Sequence, residues 1–261
     1  MSDFDRNAAT RWGSSVARSG AAEIDQGLRS YMLGVYNYMT TGLAITGVVA
    51  YGVNLLAVAH DPSQAVSRMG GIARTSFGVA IYGSPLRWLI MLAPLAFVFF
   101  FSFRIDRMTA ATARNVFLLF AAAMGLSLSS ILLVYTGTSV TRAFFITSAS
   151  FGALSLYGYT TKRDLSAFGS FLVMGLIGLI IASVVNLFLQ SSAFQFALSC
   201  LTVLIFAGLT AWDTQSIKEM YFANDDYETA TKKSVNGALQ LYLDFINIFT
   251  AILQLTGSRN N

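Results

Sequence analysis

Seven long apolar segments restrict how this chain can fold more than any other feature of the sequence. A helix needs about 20 apolar residues to cross the hydrocarbon core of a bilayer, and all but the second segment approach that length. The segments are continuous and lack the alternation of membrane β-strands, so helices are favoured over a barrel. We therefore predict an all-α membrane protein, a seven-transmembrane-helix bundle. The predicted spans are approximately Tyr31–Ala57, Trp88–Phe103, Val116–Tyr135, Thr141–Tyr159, Phe168–Leu189, Phe194–Trp212 and Ala238–Leu255.

Composition agrees with one membrane domain. Hydrophobic residues make up 55% of the chain and charged residues 11%, whereas a soluble domain is about 25% charged. Residues 1–30 are polar and lack both an apolar run and a small-residue cleavage site. We predict that they form a flexible cytoplasmic tail and that the first span is an uncleaved insertion signal. The transmembrane domain is expected over residues 31–257, followed by a short tail over 258–261.

The Lys and Arg residues predict the orientation. Of the 17, twelve fall in segments on the side of the N-terminal tail and five on the opposite side. Cytoplasmic loops carry an excess of these residues, so the N-terminus is predicted to lie in the cytoplasm. The net charge of +4 is spread over the loops. We therefore expect lipid, and not nucleic acid, as the partner of the basic residues.

Few residues are suited to holding a cofactor. There is one cysteine, Cys200, and one histidine, His60, which excludes an intrachain disulfide and a metal cluster of the Cys/His type. The acidic loop with Asp225, Asp226 and Glu228 does not have the spacing of a calcium loop such as DxDxDG. It is predicted to be a solvated loop. No cofactor is expected, apart from a transiently bound calcium ion.

Two acids, Asp213 and Asp244, interrupt the last two apolar segments. A charged residue at the bilayer centre costs roughly 2.5–3.5 kcal/mol on insertion scales, and such residues often mark ion or proton pathways. If the loop that joins their helices runs from about Lys218 to Gly237, the two acids lie roughly 7–8 Å and 10 Å from it, at about 1.5 Å per residue. We therefore predict that they meet on neighbouring antiparallel helices. The alternative is that each acid faces water or caps a backbone group.

Two carboxylates in one apolar site do not both ionise easily, so the pair is expected to share a proton and titrate as a unit. It is a candidate pH sensor and ion pathway, with transient calcium binding by Asp213 and Asp244 as the metal-site hypothesis. Arg107 and Arg104 begin a cytoplasmic loop at a similar level and are the candidate gating cations, ahead of Arg114. The alternative for these arginines is anchoring to lipid headgroups.

Three segments resemble one known family. The seventh span contains LQLYLDFINIF at Leu239–Phe249, the sixth contains AWDTQSIK at Ala211–Lys218, and the third contains GLSLSSI at Gly125–Ile131. These segments resemble the Bax inhibitor family, also called transmembrane Bax inhibitor motif proteins, and the chain looks like a bacterial-type member. The family's aspartate segment continues with a Gln-Ile pair, which Ser216 interrupts here.

The resemblance implies a bundle whose seventh helix is central, and a pH-sensitive cation leak, for calcium, in the bacterial inner membrane. By residue, the family's di-aspartyl sensor falls on Asp213 and Asp244, and its gating arginine falls on Arg107, with Arg104 one helical turn away. Some members also carry a glutamate in the second span, where this chain has no acid.

Two other functional classes are compatible with a membrane protein of this kind. Some bacterial relatives are associated with the membrane protease FtsH, so the chain is alternatively a regulatory protein that binds such a protease, with Met1–Ser30 as the docking handle. An intramembrane aspartyl protease is not favoured, because the GxGD pattern beside the catalytic acids is absent. The protein is therefore not expected to be an enzyme.

Overall fold

The computed structural model describes residues 3–59, 61, 63, 65–69 and 72–260, and within these it leaves aside the side chains of 3–25, 68, 69, 102 and 106. His60 lies outside the described residues. Helices dominate, with one small antiparallel hairpin in which Ser67 pairs with Arg74. The elements are α1 Asp3–Ala57, β1 Ser67–Met69, β2 Ile72–Arg74, α2 Ser76–Gly83, α3 Leu86–Arg104, a 3-10 turn Ile105–Arg107, α4 Ala110–Leu128, α5 Ile131–Val134, α6 Gly137–Thr160, α7 Ser166–Leu189, α8 Ser192–Glu219 and α9 Tyr227–Thr256.

The prediction of an all-α membrane protein is confirmed, but the count of seven spans is not. Over the described residues, five helical stretches are long and apolar enough to cross a membrane. A sixth is added if α2 and α3, which meet at a bend of 62°, form one broken span. The five are Gln26–Ala57, Ala110–Val134, Ser166–Leu189, Ser192–Glu219 and Tyr227–Thr256.

The predicted span that is not among these six is the fourth, Thr141–Tyr159, which corresponds to α6. This helix has 24 residues, enough to cross, but eleven of them are Ser, Thr or Gly. Its hydropathy is therefore lower than that of the five stretches named above. A second difference concerns the N-terminal segment, because α1 begins at Asp3 and continues without interruption into the span that starts at Gln26. The flexibility and the cytoplasmic location of this segment stay predictions.

Helix α9 occupies the middle of the bundle. Of its membrane-length window, 61% is buried, against 11–33% for the other four stretches. It packs against α1, α4, α6 and α8, and its residues belong to both apolar clusters of the core. Polar groups on α9 are therefore enclosed by protein on most sides.

Two glycines allow α8 to approach its neighbours closely. A Cβ atom at Gly158 of α6 would collide with the carbonyl group of Ala211 on α8. A Cβ atom at Gly237 of α9 would lie 2.9 Å from the Ile217 side chain on α8. Small residues at helix contacts permit such approaches inside a membrane. The segment of α8 between Ala211 and Ile217 is thus held tightly between α6 and α9.

Candidate functional site

The structure brings Asp213 of α8 and Asp244 of α9 together. Their carboxyl groups lie within hydrogen-bonding distance of each other. Asp244 is only 3% exposed, while Asp213 is partly buried. The two acids are therefore one site enclosed between two helices, and not two separate groups that face water.

The contact between the acids depends on a proton. An ionised carboxylate only accepts hydrogen bonds, whereas a protonated carboxyl group also donates one. When both acids are ionised, Oδ2 of Asp244 is buried and has no donor among the described residues. A proton on either acid supplies the donor and joins the two groups. The geometry therefore suits a pair that holds one proton.

Thr210 borders the pair on α8. Its side chain is fully buried and lies against the Asp244 carboxyl group. Its hydroxyl donates its proton to the carbonyl oxygen of Phe206 at 2.8 Å, so toward Asp244 it can only accept. Thr210, Asp213 and Thr214 share one face of α8, because residues three and four apart are neighbours on a helix. This spacing is the sequence signal that could have identified the two threonines as part of the site.

A chain of three hydroxyl groups leads from α1 to this face of α8. The Thr214 hydroxyl donates to the carbonyl oxygen of Thr210 at 2.7 Å. Having used its only proton, it accepts from Ser155 of α6 at 3.0 Å. Ser155 in turn accepts from the hydroxyl of Tyr36 on α1. The direction of all three hydrogen bonds is thus set, and nothing in the sequence pattern pointed to Tyr36 or Ser155.

The candidate gating cations lie at exposed positions at and just after the end of α3. Arg104 ends α3 and Arg107 ends the 3-10 turn that follows. Both side chains are exposed, and the guanidinium group of Arg104 lies 5.7 Å from the centre of the Phe100 ring. In the part of the chain that the structure describes, no ion pair joins either arginine to Asp213 or Asp244. Their gating role stays a prediction.

The acids of the α8–α9 loop have contacts of their own. Asp225 pairs with the Lys233 ammonium group at 2.6 Å. Asp226 precedes α9 and accepts a hydrogen bond from the backbone N–H of Glu228 at 3.2 Å. Its hydrogen bond with the Thr229 side chain holds the pKa of the Asp226 carboxyl below its ordinary value. These contacts fix the chain at the start of α9.

The donors available for a metal ion are limited. No group of three or more His, Cys, Asp or Glu side chains suited to a metal ion occurs within the described residues. Ca²⁺ takes about 6–8 oxygen ligands. A calcium ion at the Asp213–Asp244 pair would need water and backbone carbonyl groups to complete its shell.

The fold and the acid pair define an α-helical membrane protein that crosses the bilayer several times and holds two interacting acids among its helices. Residues 28–261 match the model of the family described as "Inhibitor of apoptosis-promoting Bax1". The chain belongs to the Bax inhibitor family, which confirms the resemblance of its three segments.

Bacterial relatives match nearly the full length of the chain. The inner membrane protein YbhL of Escherichia coli (strain K12) is 43% identical over 236 residues, which are 89% of this chain and 93% of YbhL. Protein RP147 of Rickettsia prowazekii is 46% identical over 237 residues, 91% of this chain and 93% of the relative. A protein of Caulobacter vibrioides is 40% identical over 260 residues, 98% of each chain.

Proposed function

We propose that this protein is a pH-responsive cation leak of the bacterial inner membrane, with calcium as the expected cation and the Asp213–Asp244 pair as its sensor. The observation that carries the proposal is the contact of two acids, one of them almost fully buried, on the most enclosed helix of a membrane bundle. Intramembrane acids of this kind mark ion and proton pathways. The inner-membrane location follows YbhL, which is named as an inner membrane protein.

The proposed sensor works through charge repulsion. With one shared proton, a hydrogen bond joins α8 to α9. When the second acid ionises, two like charges about 4 Å apart repel by about 4 kcal/mol at an effective dielectric constant of 20. Each 1.4 kcal/mol is a factor of ten in an equilibrium constant, so this repulsion can shift the packing equilibrium of α8 against α9 by roughly 700-fold. Water and a cation then reach the carboxylates.

The hydroxyl groups of Tyr36, Ser155 and Thr214 support the proposal by connecting α1 and α6 to the face of α8 that carries Asp213. The chain ends at the backbone carbonyl group of Thr210, which accepts a hydrogen bond and passes no proton on. It therefore positions α8 and is not a proton path to the pair. We expect Ser155→Ala to loosen this anchoring and to shift the pH at which the flux changes, without abolishing the pH response.

The test is calcium flux into liposomes that contain the purified protein and a calcium dye. Flux through the wild type is expected to change with pH, while Asp213→Asn and Asp244→Asn each give flux that no longer depends on pH, since neither variant can form the doubly charged pair. Asp164→Asn is the matched control, because Asp164 is an exposed loop acid. Flux that is independent of pH in the wild type, or a pH response that survives in both pair variants, contradicts the proposal.

A second proposal is that the protein binds and regulates a membrane protease such as FtsH. The continuous helix from Asp3 into the first span favours it, because a helical segment before the membrane is a ready docking handle. Removal of residues 1–25 is the test. Loss of co-purification with the protease, together with unchanged calcium flux, would separate this role from the leak. Unchanged co-purification would show that residues 1–25 are not the docking segment.

A further inference from the structure

A long groove runs between α1 and α6. Its cavity has a volume of about 1090 Å³, and Phe245 of α9 contributes to its floor. The hydrogen bond between Tyr36 and Ser155 crosses this floor. The groove is open on one side, where Leu33 and Leu156 on its two walls are 52% and 63% exposed. In a membrane, that open side faces lipid.

One end of the groove is cationic. Arg29 of α1 lines this end, is exposed, and has no ion pair among the described residues. Tyr159 of α6 lines the same end, and the Lys218 ammonium group donates to its carbonyl oxygen at 2.9 Å. None of the residues that line the groove is acidic. The charge at this end is therefore complementary to an anion.

The rest of the groove has the length and character of an acyl-chain site. From Arg29 to Leu43, α1 rises about 21 Å at 1.5 Å per residue, which is more than half of the roughly 30 Å hydrocarbon core. Leu43, Phe144 and Phe245 close the far end, since they line both this groove and a second cavity of about 590 Å³ beyond it. The Phe144 and Phe245 rings are packed edge to face with their centres 5.7 Å apart.

We propose that this groove binds one anionic phospholipid, with an acyl chain along α1 and α6 and the phosphate group at Arg29. Ordinary lipid contact needs neither a concave surface nor a charge at its end, whereas the groove has both. Arginine binds phosphate through its forked donors. The wall hydroxyl groups of Tyr36, Thr40, Ser148 and Ser155 already have hydrogen-bond partners within the protein, so an acyl chain leaves none of them unpaired. The site does not depend on the proposed cation leak.

The test is native mass spectrometry of the full-length protein in detergent with phosphatidylglycerol or with phosphatidylethanolamine of the same acyl chains. The wild type is expected to retain one phosphatidylglycerol about fivefold more tightly, because one basic residue near a membrane surface contributes about 1 kcal/mol toward an anionic lipid. Arg29→Gln is expected to bind both lipids equally. Equal retention of the two lipids by the wild type would overturn the proposal.

Filling the groove tests its location. Gly152 lines the groove, and a Cβ atom there would meet nothing within 4 Å, so Gly152→Leu occupies the acyl-chain space without displacing protein. It is expected to lose the bound lipid. Gly178→Leu is the matched control, because Gly178 is equally unobstructed but lies on α7 outside the groove.

A second blocking variant covers the case in which Gly152→Leu does not fold. Thr40→Phe places a ring in the same groove from an exposed position on α1, and it is also expected to lose the lipid. Retention of the lipid by a folded blocking variant at the wild-type level would overturn the proposal. Equal loss of the lipid by Gly178→Leu would also overturn the proposal.

Discussion

The buried hydrogen bond between Tyr242 and Thr46 allows a prediction in which two matched substitutions have unequal costs. The Thr46 hydroxyl donates its proton to the carbonyl oxygen of Ala121 at 2.9 Å. The Tyr242 hydroxyl, 2.7 Å from Thr46, must therefore be the donor of the pair. Tyr242 is fully buried and Thr46 is 5% exposed, so neither group has water as a substitute partner.

The direction of this hydrogen bond sets the cost of each substitution. Tyr242→Phe removes a donor and leaves the bond from Thr46 to Ala121 in place, at a cost of about 0.5–1.5 kcal/mol, with about 0.6 kcal/mol as the average for side-chain bonds in one membrane protein. Thr46→Val keeps the shape of the side chain but leaves the buried Tyr242 O–H without an acceptor, which costs about 1–3 kcal/mol. It also removes the bond to Ala121. We therefore expect Thr46→Val to lower the free energy of unfolding more than Tyr242→Phe does.

The assay is reversible unfolding in mixed micelles, followed by circular dichroism as the fraction of denaturing detergent rises. It measures the free energy of unfolding of each single variant and the coupling energy from the double variant. Thr46→Ser keeps the hydroxyl and is the control, with a loss limited to one methyl group. In the double variant no O–H is left unpaired, so its cost should be less than the sum of the two single costs. The assigned direction is refuted if Tyr242→Phe is as costly as Thr46→Val, or if the two costs add.

Two further predictions concern helix contacts and pH. Gly158→Ala is expected to destabilise the protein by about 1–3 kcal/mol through overpacking, because its Cβ atom meets the facing α8 carbonyl. Gly152 lies on the same helix with open space around it, so Gly152→Ala should instead raise the free energy of unfolding by up to about 1 kcal/mol through helix propensity. If Gly158→Ala and Gly152→Ala change the free energy of unfolding equally in the same assay, α6 and α8 do not approach closely at Gly158. Asp226 has a pKa held below its ordinary value of 3.8 by Thr229, so its stabilisation of α9 is present above that value and is lost as the pH falls through the folded pKa. Asp226→Asn retains a good capping residue that does not titrate; its melting temperature should fall less between about pH 6 and about pH 3 than that of the wild type, and an equal fall would contradict the capping role.

The acid pair could be anticipated because it depends on short-range geometry. An acid is conspicuous in an apolar segment, and the 1.5 Å rise per residue converts sequence positions into depths once the ends of the loop are assumed. The structure moves one of those ends, because α9 begins at Tyr227 and not near Gly237. Asp213 therefore lies six residues before the end of α8, and Asp244 lies seventeen residues after the start of α9. The meeting of the two acids is predicted from the sequence, whereas the rotation of the helices that turns their carboxyl groups toward each other comes from packing.

Other features depend on packing that no local pattern contains. The contact of Ser155 with Tyr36 and Thr214 joins three helices that are far apart in sequence, and a serine in a membrane helix is otherwise unremarkable. The positions of Arg104 and Arg107 depend on long flexible side chains, which a depth argument cannot orient. The α6 span is not confirmed: its length is suitable, but its many small polar residues lower its hydropathy below that of the five stretches that are apolar enough to cross.

The central position of α9 has a consequence for how the protein is made. This helix follows the other candidate spans in the order of synthesis, yet α1, α4, α6 and α8 all pack against it. Until it leaves the ribosome and enters the membrane, Thr46 and Thr210 lack their α9 partners, and the aromatic side chains that surround Tyr242 have nothing to enclose. Contacts of α1 with α4, and of α8 with α6 and α7, do not involve α9 and can form before it. A chain that stops before α9 therefore keeps the bonds of Thr46 to Ala121 and of Thr210 to Phe206, but has an apolar cavity where α9 packs.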